Sequence, residues 1–494
     1  MSEAPVPSRP KSAYNNWISV IGAVLAVGAL FSFALLVAMG FAQGDKNPYL
    51  GILTYIVAPA FLITGLAIMF IGAWLQRRYA LRYAGQRPDR WQLDLHNPNQ
   101  RRHLYILGGG ATLFLLLSAF GSYQTYHYAE SVQFCGEVCH QAMNPELVTY
   151  RKGAHARVDC VECHVGSGVD WFVKAKINGA HQLISYTLDN YDRPIATPVK
   201  NMRPAREICE QCHWPEKSLG NLDMTWDHFL SDRKNTPYSV RLLMKMDTGK
   251  DGDLHSGIHW HASPKTKVEF YATDRQRQEV VWVRVTDAEK GTEKVFRHAD
   301  FLGEPPMDQI RRMDCVDCHN RPAHDFRSAN DLVEEAMVRG TLPTSLPGIK
   351  RQAVQAMIQK EITTAAEAPG KIADHLRGRY KDAAGVEQAI AEVQRLHAEN
   401  IFPERKADWR VYPNNIGHKD WSGCFRCHGN TLQTAAGQKV GASECSSCHI
   451  ILAQGKGSDL ASLTAAGLEF KHPSGSYDEE LSCADCHNGG IQGK

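Results

Sequence analysis

Fourteen cysteines fall into seven pairs in this chain, and a histidine follows the second member of every pair. The pairs are Cys135 and Cys139 with His140, Cys160 and Cys163 with His164, Cys209 and Cys212 with His213, and Cys315 and Cys318 with His319. Cys424 and Cys427 with His428, Cys445 and Cys448 with His449, and Cys483 and Cys486 with His487 complete the set. Six read C-x-x-C-H, the spacing of c-type haem attachment. Two thiols add to the porphyrin vinyl groups, and the adjacent imidazole then falls beneath the iron as an axial ligand. Disulfides and zinc also use paired cysteines, but neither explains a histidine after each second one. With 22 His in 494 residues, chance would put one after a given Cys about one time in 22, against seven in seven here. The expected cofactors are seven covalently attached c-type haems.

The first site departs from the rule. CGEVCHQAM, residues 135 to 143, has three residues between its cysteines, and Met143 follows closely. Electron-transfer haems also need a ligand on the second face of the iron, which His or Met supplies. Met143, His155, His228, His259, His261, His324, His418 and His472 lie close enough in sequence to the sites to serve. The run HSGIHWHA, with His255, is dense enough to supply at least one ligand, and His259 and His261 would face one side if it is extended. His324, five residues beyond His319, is expected to serve a neighbouring haem rather than its own. His298, His375 and His397 read as ordinary residues.

Three apolar stretches near one end must position this machinery. Trp17–Phe41, Leu50–Leu75 and Leu104–Tyr123 are free of Asp, Glu, Lys and Arg and long enough to cross a bilayer. The segment 76–103 between the second and third carries Arg77, Arg78, Arg82, Arg87, Arg90, Arg101 and Arg102 against two Asp. The positive-inside rule makes that loop and the N-terminus, with Arg9 and Lys11, cytoplasmic. Three crossings then deliver the haem-bearing part to the periplasmic side of a bacterial inner membrane. Haem chemistry requires the same side, because covalent c-type attachment takes place outside the cytoplasm. A cleaved signal peptide is the rival reading of the first span; cleavage would leave the orientation unchanged.

The expected fold is mainly α with irregular haem-packed regions and a small β-rich insertion. Residues 1–16 form a cytoplasmic N-terminus, 17–126 the three membrane helices, and 127–235 a domain with haems 1–3. Residues 236–300 hold YSVRLLMKM, KVEFYAT and EVVWVRV, whose alternation and β-branched content predict strands. Haem 4 belongs to 301–330. The helix formers AVQAMIQKEITTAAEA and VEQAIAEVQRLHAEN predict helices in 331–405, and haems 5–7 occupy 406–494. A formal net charge of +2 argues against a nucleic-acid partner.

FCGEVCHQAMNPELVTYRKGAHARVDCVECHVG, with the helix before it, resembles the NapC/NirT/NrfH family of membrane-anchored multihaem quinol dehydrogenases over roughly residues 105–215. The resemblance implies oxidation of menaquinol or ubiquinol at the membrane surface, with electrons passed to periplasmic c-type cytochromes. It implies an electron-entry haem at Cys135 and Cys139, with His140 or Met143 on the iron. Met143 stands three residues after His140, where the family's four-haem members have two. It also implies a Lys and, six residues on, an Asp near the quinol. Lys176 matches, but Gln182 stands in the carboxylate's place and cannot accept a proton as a carboxylate can. Glu137, His181 and Asp170 are the candidates to substitute. Beyond 215 the likeness to four-haem members ends, and the extra haems read as a wire with haem 7 near its exit. The whole layout is similar to seven-haem inner-membrane members of metal-reducing bacteria, which implies delivery toward extracellular acceptors. Two rival functions remain: an electron-transfer subunit of a larger membrane respiratory complex, and a multihaem terminal reductase.

Overall fold

The structure is a computed structural model. It describes residues 13–43, 53–82, 96–138, 140–165, 169–199, 202–213, 220–246, 257–263, 265–288, 290–440, 445–473, 475 and 487. The chain divides into two compact units, one of residues 1–134 and 160–179, the other of residues 135–159 and 180–494.

The first unit holds three long helices: α1 (Trp17–Gln43), α2 (Ala58–Arg82, entered through a π-helical turn Leu53–Val57) and α3 (Pro98–Glu130). Each is long and apolar enough to cross a membrane. In lipid, apolar burial does not drive helices together, so close packing of small residues must do it. α1 and α2 meet in that way. A Cβ on Gly22 would stand 2.4 Å from the Met69 nitrogen, and one on Gly65 2.6 Å from the Ala26 nitrogen. Ser19 Oγ donates to the Met69 carbonyl at 3.0 Å, closing one end of the seam. α3 starts where Asn97 accepts from the Asn99 N–H and Pro98 pre-sets the first turn. It runs past both ends of the expected span Leu104–Tyr123. Of the Arg-rich loop, residues 83–95, with Arg87 and Arg90, lie outside the described residues.

The second unit begins with α4 (His140–Lys152). The helix α5 (Val169–Thr187) belongs to the first unit up to Gly179 and to the second from Ala180. Eight strands follow: β1 (Leu222–Phe229), β2 (Pro237–Met244), β3 (Thr266–Ala272), β4 (Val280–Asp287), β5 (Thr292–His298), β6 (Arg311–Arg312), β7 (Leu432–Gln433) and β8 (His449–Gly455). They form two antiparallel sheets, ordered β1-β2-β8 and β6-β3-β4-β5-β7. Strand structure therefore starts at Leu222, ahead of the β-rich segment read at 236–300, and takes in β7 and β8 from the far end of the chain. The larger sheet buries one face, with Val268 and Phe270 from β3, Val283 from β4, Phe296 from β5 and Leu432 from β7.

Four helices build the remaining core: α6 (Ala329–Val338), α7 (Ile349–Met357), α8 (Ala368–Tyr380) and α9 (Val386–Asn400). In α9, Ala389, Val393, Leu396, His397 and Asn400 are buried at three- and four-residue steps, the stripe of an amphipathic helix. The run AVQAMIQKEITTAAEA is not one helix, because α7 stops at Met357 and α8 begins at Ala368. Between them the Thr363 N–H and hydroxyl both donate to the Glu367 carboxylate. Such local side-chain bonds compete with helical ones, and Pro369 then restarts the helix.

Candidate functional site

Three of the described attachment motifs sit on tight turns that bring the histidine back to its first cysteine. The backbone N–H of His213 donates to the Cys209 carbonyl at 2.8 Å, that of His319 to Cys315 at 2.7 Å, and that of His428 to Cys424 at 3.1 Å. These are helical i→i−4 bonds, so two thiols and one imidazole share a single turn. In the first unit the second site is likewise a short helical segment, Cys160–His164, with Cys160 and Cys163 both half-buried. At the third site the Cys212 N–H also donates to the Cys209 carbonyl, at 3.1 Å. Cys212 and Cys445 are exposed, unlike the other described cysteines, which are half-buried. Burial within the chain is thus not what unites the thiols. The fourth site is further locked. Asp314 accepts from Cys315 N–H at 2.7 Å, and Asp317 accepts from Asp314 N–H at 2.8 Å. Asp317 is buried between Arg311 at 2.8 Å and Arg277 at 3.0 Å. None of the eleven described cysteines is in a disulfide.

The first site uses a different turn. Cys135 lies in a π-helical turn, Phe134–Val138. A π turn closes i→i+5 bonds and accommodates one residue more than an α turn, matching the extra residue of CGEVC. Gly136 lets this turn lie against α4: a Cβ there would stand 2.5 Å from Leu147 Cδ1. Cys139 falls outside the described residues, as do Cys483, Cys486 and His255.

Four of the candidate second ligands face a motif histidine. Ring centres are 5.9 Å apart for His155 and His213, 5.9 Å for His261 and His428, 6.4 Å for His418 and His449, and 5.8 Å for His472 and His487. Two metal–nitrogen bonds of about 2 Å, plus the short step from nitrogen to ring centre at each end, separate trans imidazoles by roughly 6 Å. The spacing fits an iron between the rings. Second-shell bonds orient them. Pro322 carbonyl accepts from His155 Nδ1 at 2.9 Å, and Ile258 carbonyl from His261 Nδ1 at 2.8 Å, so Nε2 is the nitrogen that would hold an iron. Burial lowers the pKa of His259, His261, His418 and His449, favouring the neutral ring that a metal requires.

His259 and His261 do not share one side. Ile258–Ala262 is a 3-10 turn rather than an extended stretch, and at three residues per turn neighbours two apart diverge by about 240°. His261 faces His428, while His259 bears electrostatically on His319. His324 Nδ1 donates to the Glu146 carbonyl on α4 at 2.9 Å. His228 Nδ1 is 3.0 Å from Glu334, whose carboxylate also binds Lys350. His298 lies 3.6 Å from Asp300 and His375 3.2 Å from Gln352. His397 is buried in the helical core.

Several sites lie near one another. Cys209 and Cys315 are close enough to perturb each other, and His213 bears electrostatically on His319. Cys318 senses both Cys424 and Cys427, and Cys448 senses Cys424. His418 faces His449, while Lys419 beside it acts on His487. The third and fourth sites are tied by the Ala205 N–H to Asp314, the fourth and fifth by Arg426 to the Asp317 carbonyl, and the fifth and sixth by His418, which stacks on Phe425 and faces His449.

The residues read as quinol-side groups are less gathered. Glu137 is in an ion pair with Arg151 at 2.6 Å, both half exposed. Lys176 and Asp170 lie on α5, with side chains outside the described parts of the chain. His181 and Gln182 are exposed on the same helix. Six residues place positions 176 and 182 about 120° apart around it. Met143 is on α4, one helical turn before Glu146. Burial raises Glu146 to about 7, against the pull of Arg321. Nothing in the sequence singles out Glu146, since its burial comes entirely from tertiary packing.

Comparison with known proteins bears on these sites directly. The model "NapC/NirT cytochrome c family, N-terminal region" matches residues 97–197, and the model "Cytochrome c3" matches residues 417–492. Cytochrome c-type protein ImcH of Geobacter sulfurreducens is 36% identical over 491 residues, covering 96% of this chain and 95% of that protein. No solved structure matches. Three apolar helices, haem-attachment turns and these likenesses describe a membrane multihaem cytochrome engaged in electron transfer. The chain belongs to the NapC/NirT family of c-type cytochromes.

Proposed function

We propose that this chain oxidises membrane quinol, with menaquinol the expected species, beside the Cys135–Met143 segment. It relays the electrons through seven c-type haem sites to periplasmic c-type cytochromes, in a route toward extracellular acceptors. The haem-bearing unit faces the periplasm in this reading, and Met143 or His140 completes the first site. Bound haem supplies one-electron chemistry at its iron; the chain's own residues set the order of the sites. The observation that supports the reading is the succession of facing imidazoles at the sites of His213, His428, His449 and His487. α4 joins the entry segment to that succession. It carries Met143, and His155 three residues beyond its end faces His213. Quinol oxidation also releases protons, for which the candidate acceptors are Glu137, within the first attachment motif, and His181 and Asp170, near Lys176 in sequence.

The test is stopped-flow mixing of the detergent-solubilised full chain with a menaquinol analogue. Haem absorbance is recorded after intact mass has verified seven haems. Rapid reduction is expected, slowed at least tenfold by Met143→Ala or Lys176→Ala. The second reading, an electron-transfer subunit of a larger complex, draws on Gln182 standing where a carboxylate is needed. Full reduction by dithionite with none by quinol would select it and end the first.

A further inference from the structure

Arg203 is a buried guanidinium without enough partners. Its side chain is 9% exposed, and its Nη2 reaches Glu207 at 3.3 Å. Nε and Nη1 are fully buried and make no hydrogen bond at all. A charged group taken out of water with its donors unpaired is among the costliest arrangements a fold can hold. A guanidinium also cannot escape by losing its proton, because it stays charged in proteins. An anion of the right geometry must therefore meet it.

Among the described residues the chain supplies only the Glu207 carboxylate, which meets Nη2 and leaves Nε and Nη1 unpaired. Other partly buried guanidiniums around the third to fifth attachment sites are met by the chain. Arg311 and Arg277 share Asp317, Arg426 donates to the Arg277 and Asp317 carbonyls, and Arg206 reaches Glu210 and the Ala262 carbonyl. Arg203 lies two residues before the turn Ala205–Cys209, whose first N–H donates to Asp314 Oδ2 at 3.0 Å. Its backbone is thus tied to both the third and the fourth attachment sites. The anions that seven c-type haems bring to such a place are propionate carboxylates, and a planar fork of N–H donors is the group that binds a carboxylate best.

We propose that Arg203 anchors a haem propionate where the third and fourth attachment sites meet. The anchor rests on haem attachment alone and is independent of what reduces the protein. Its positive charge favours the electron-rich state of the nearest iron, so it also raises that haem's potential relative to its neighbours.

The experiment is a spectropotentiometric titration of the full chain in detergent, comparing wild type, Arg203→Gln and Arg203→Lys, with haem content measured by intact mass. With Arg203→Gln, one component is expected to move to lower potential and to gain pH dependence, because its propionate then protonates more easily. Arg203→Lys, which keeps the charge, is expected to restore most of the shift. Fully loaded Arg203→Gln protein with every component unchanged would overturn the proposal. So would a uniform shift of all components, or equal haem loss in both variants, since either marks a merely structural role. Haem loss confined to Arg203→Gln supports the anchor.

Discussion

The helices α6 to α9 and the attachment segments reach order by different means. In the helical region, Val333, Leu342, Ile349, Met357, Ile372, Leu376, Val393 and Trp409 pack into one side-chain core with little or no exposure. In the attachment segments the paired features are polar. Imidazoles face each other at 5.8–6.4 Å, cysteines meet cysteines, and Arg203 holds unpaired donors. The first region obeys the hydrophobic logic of an ordinary domain. The second is organised around a cofactor, and its side chains are placed by bonds to motifs and to one another. Stability and redox function are therefore expected to separate: substitutions in one region leave the other's readout intact.

The sharpest way to break that separation is at the fifth site. Replacing Cys424 and Cys427 together by alanine should remove one haem by intact mass and interrupt electron flow to the sites beyond it. Unfolding of the helical region, followed by far-ultraviolet circular dichroism, should persist. Undiminished reduction of the last two sites would mean that electrons do not follow the spatial order. A gentler change is His155→Met, which alters the ring facing His213. Methionine ligation raises haem potentials, so one component should rise on the order of a tenth of a volt, within the roughly 0.8 V that axial ligands span. An unmoved titration curve would remove His155 from the ligand set.

On the helical side, Leu376 is fully buried, and Leu376→Ala should cost about 2–5 kcal/mol, the usual penalty of a core cavity. The Soret spectrum below the transition should match wild type. A pH dependence of comparable size is expected at His397. Burial, with Arg410 adding to it, lowers His397 to about 4 in the folded state. An imidazole held neutral by the fold contributes full stability above its unfolded pKa near 6.5, and loses it as pH falls toward 4. The loss should approach about 3 kcal/mol. Melting curves at pH 7 and pH 4.5 should differ less for His397→Gln than for wild type; parallel pH dependence in both would discard the assignment.

Legibility in the sequence tracks the range of the interaction responsible. The attachment motifs, the three apolar helices and the strands of KVEFYAT and EVVWVRV were readable because covalent spacing, hydropathy and alternation act within a few residues. The helix expected across 353–368 failed because a Thr-Thr pair and one glutamate, four residues apart, redirected the backbone. The paired orientation of His259 and His261 failed because a 3-10 turn replaced an extended strand.

What the amino-acid order determined alone is chemical: seven Cys-Cys-His sets, a first site with one residue too many, and three helices suited to lipid. What only tertiary structure decided is which groups meet. No local pattern links His155 to His213, His261 to His428, or Cys209 to Cys315, because each pair is joined by packing across tens or hundreds of residues. Nor does any pattern tell that Cys212 stands exposed while Cys163 is half-buried, although both occupy the same place in their motifs. The same is true of Arg203, whose composition is ordinary and whose burial is not. Charge and reactivity are properties of a residue; desolvation and partnership are properties of the fold.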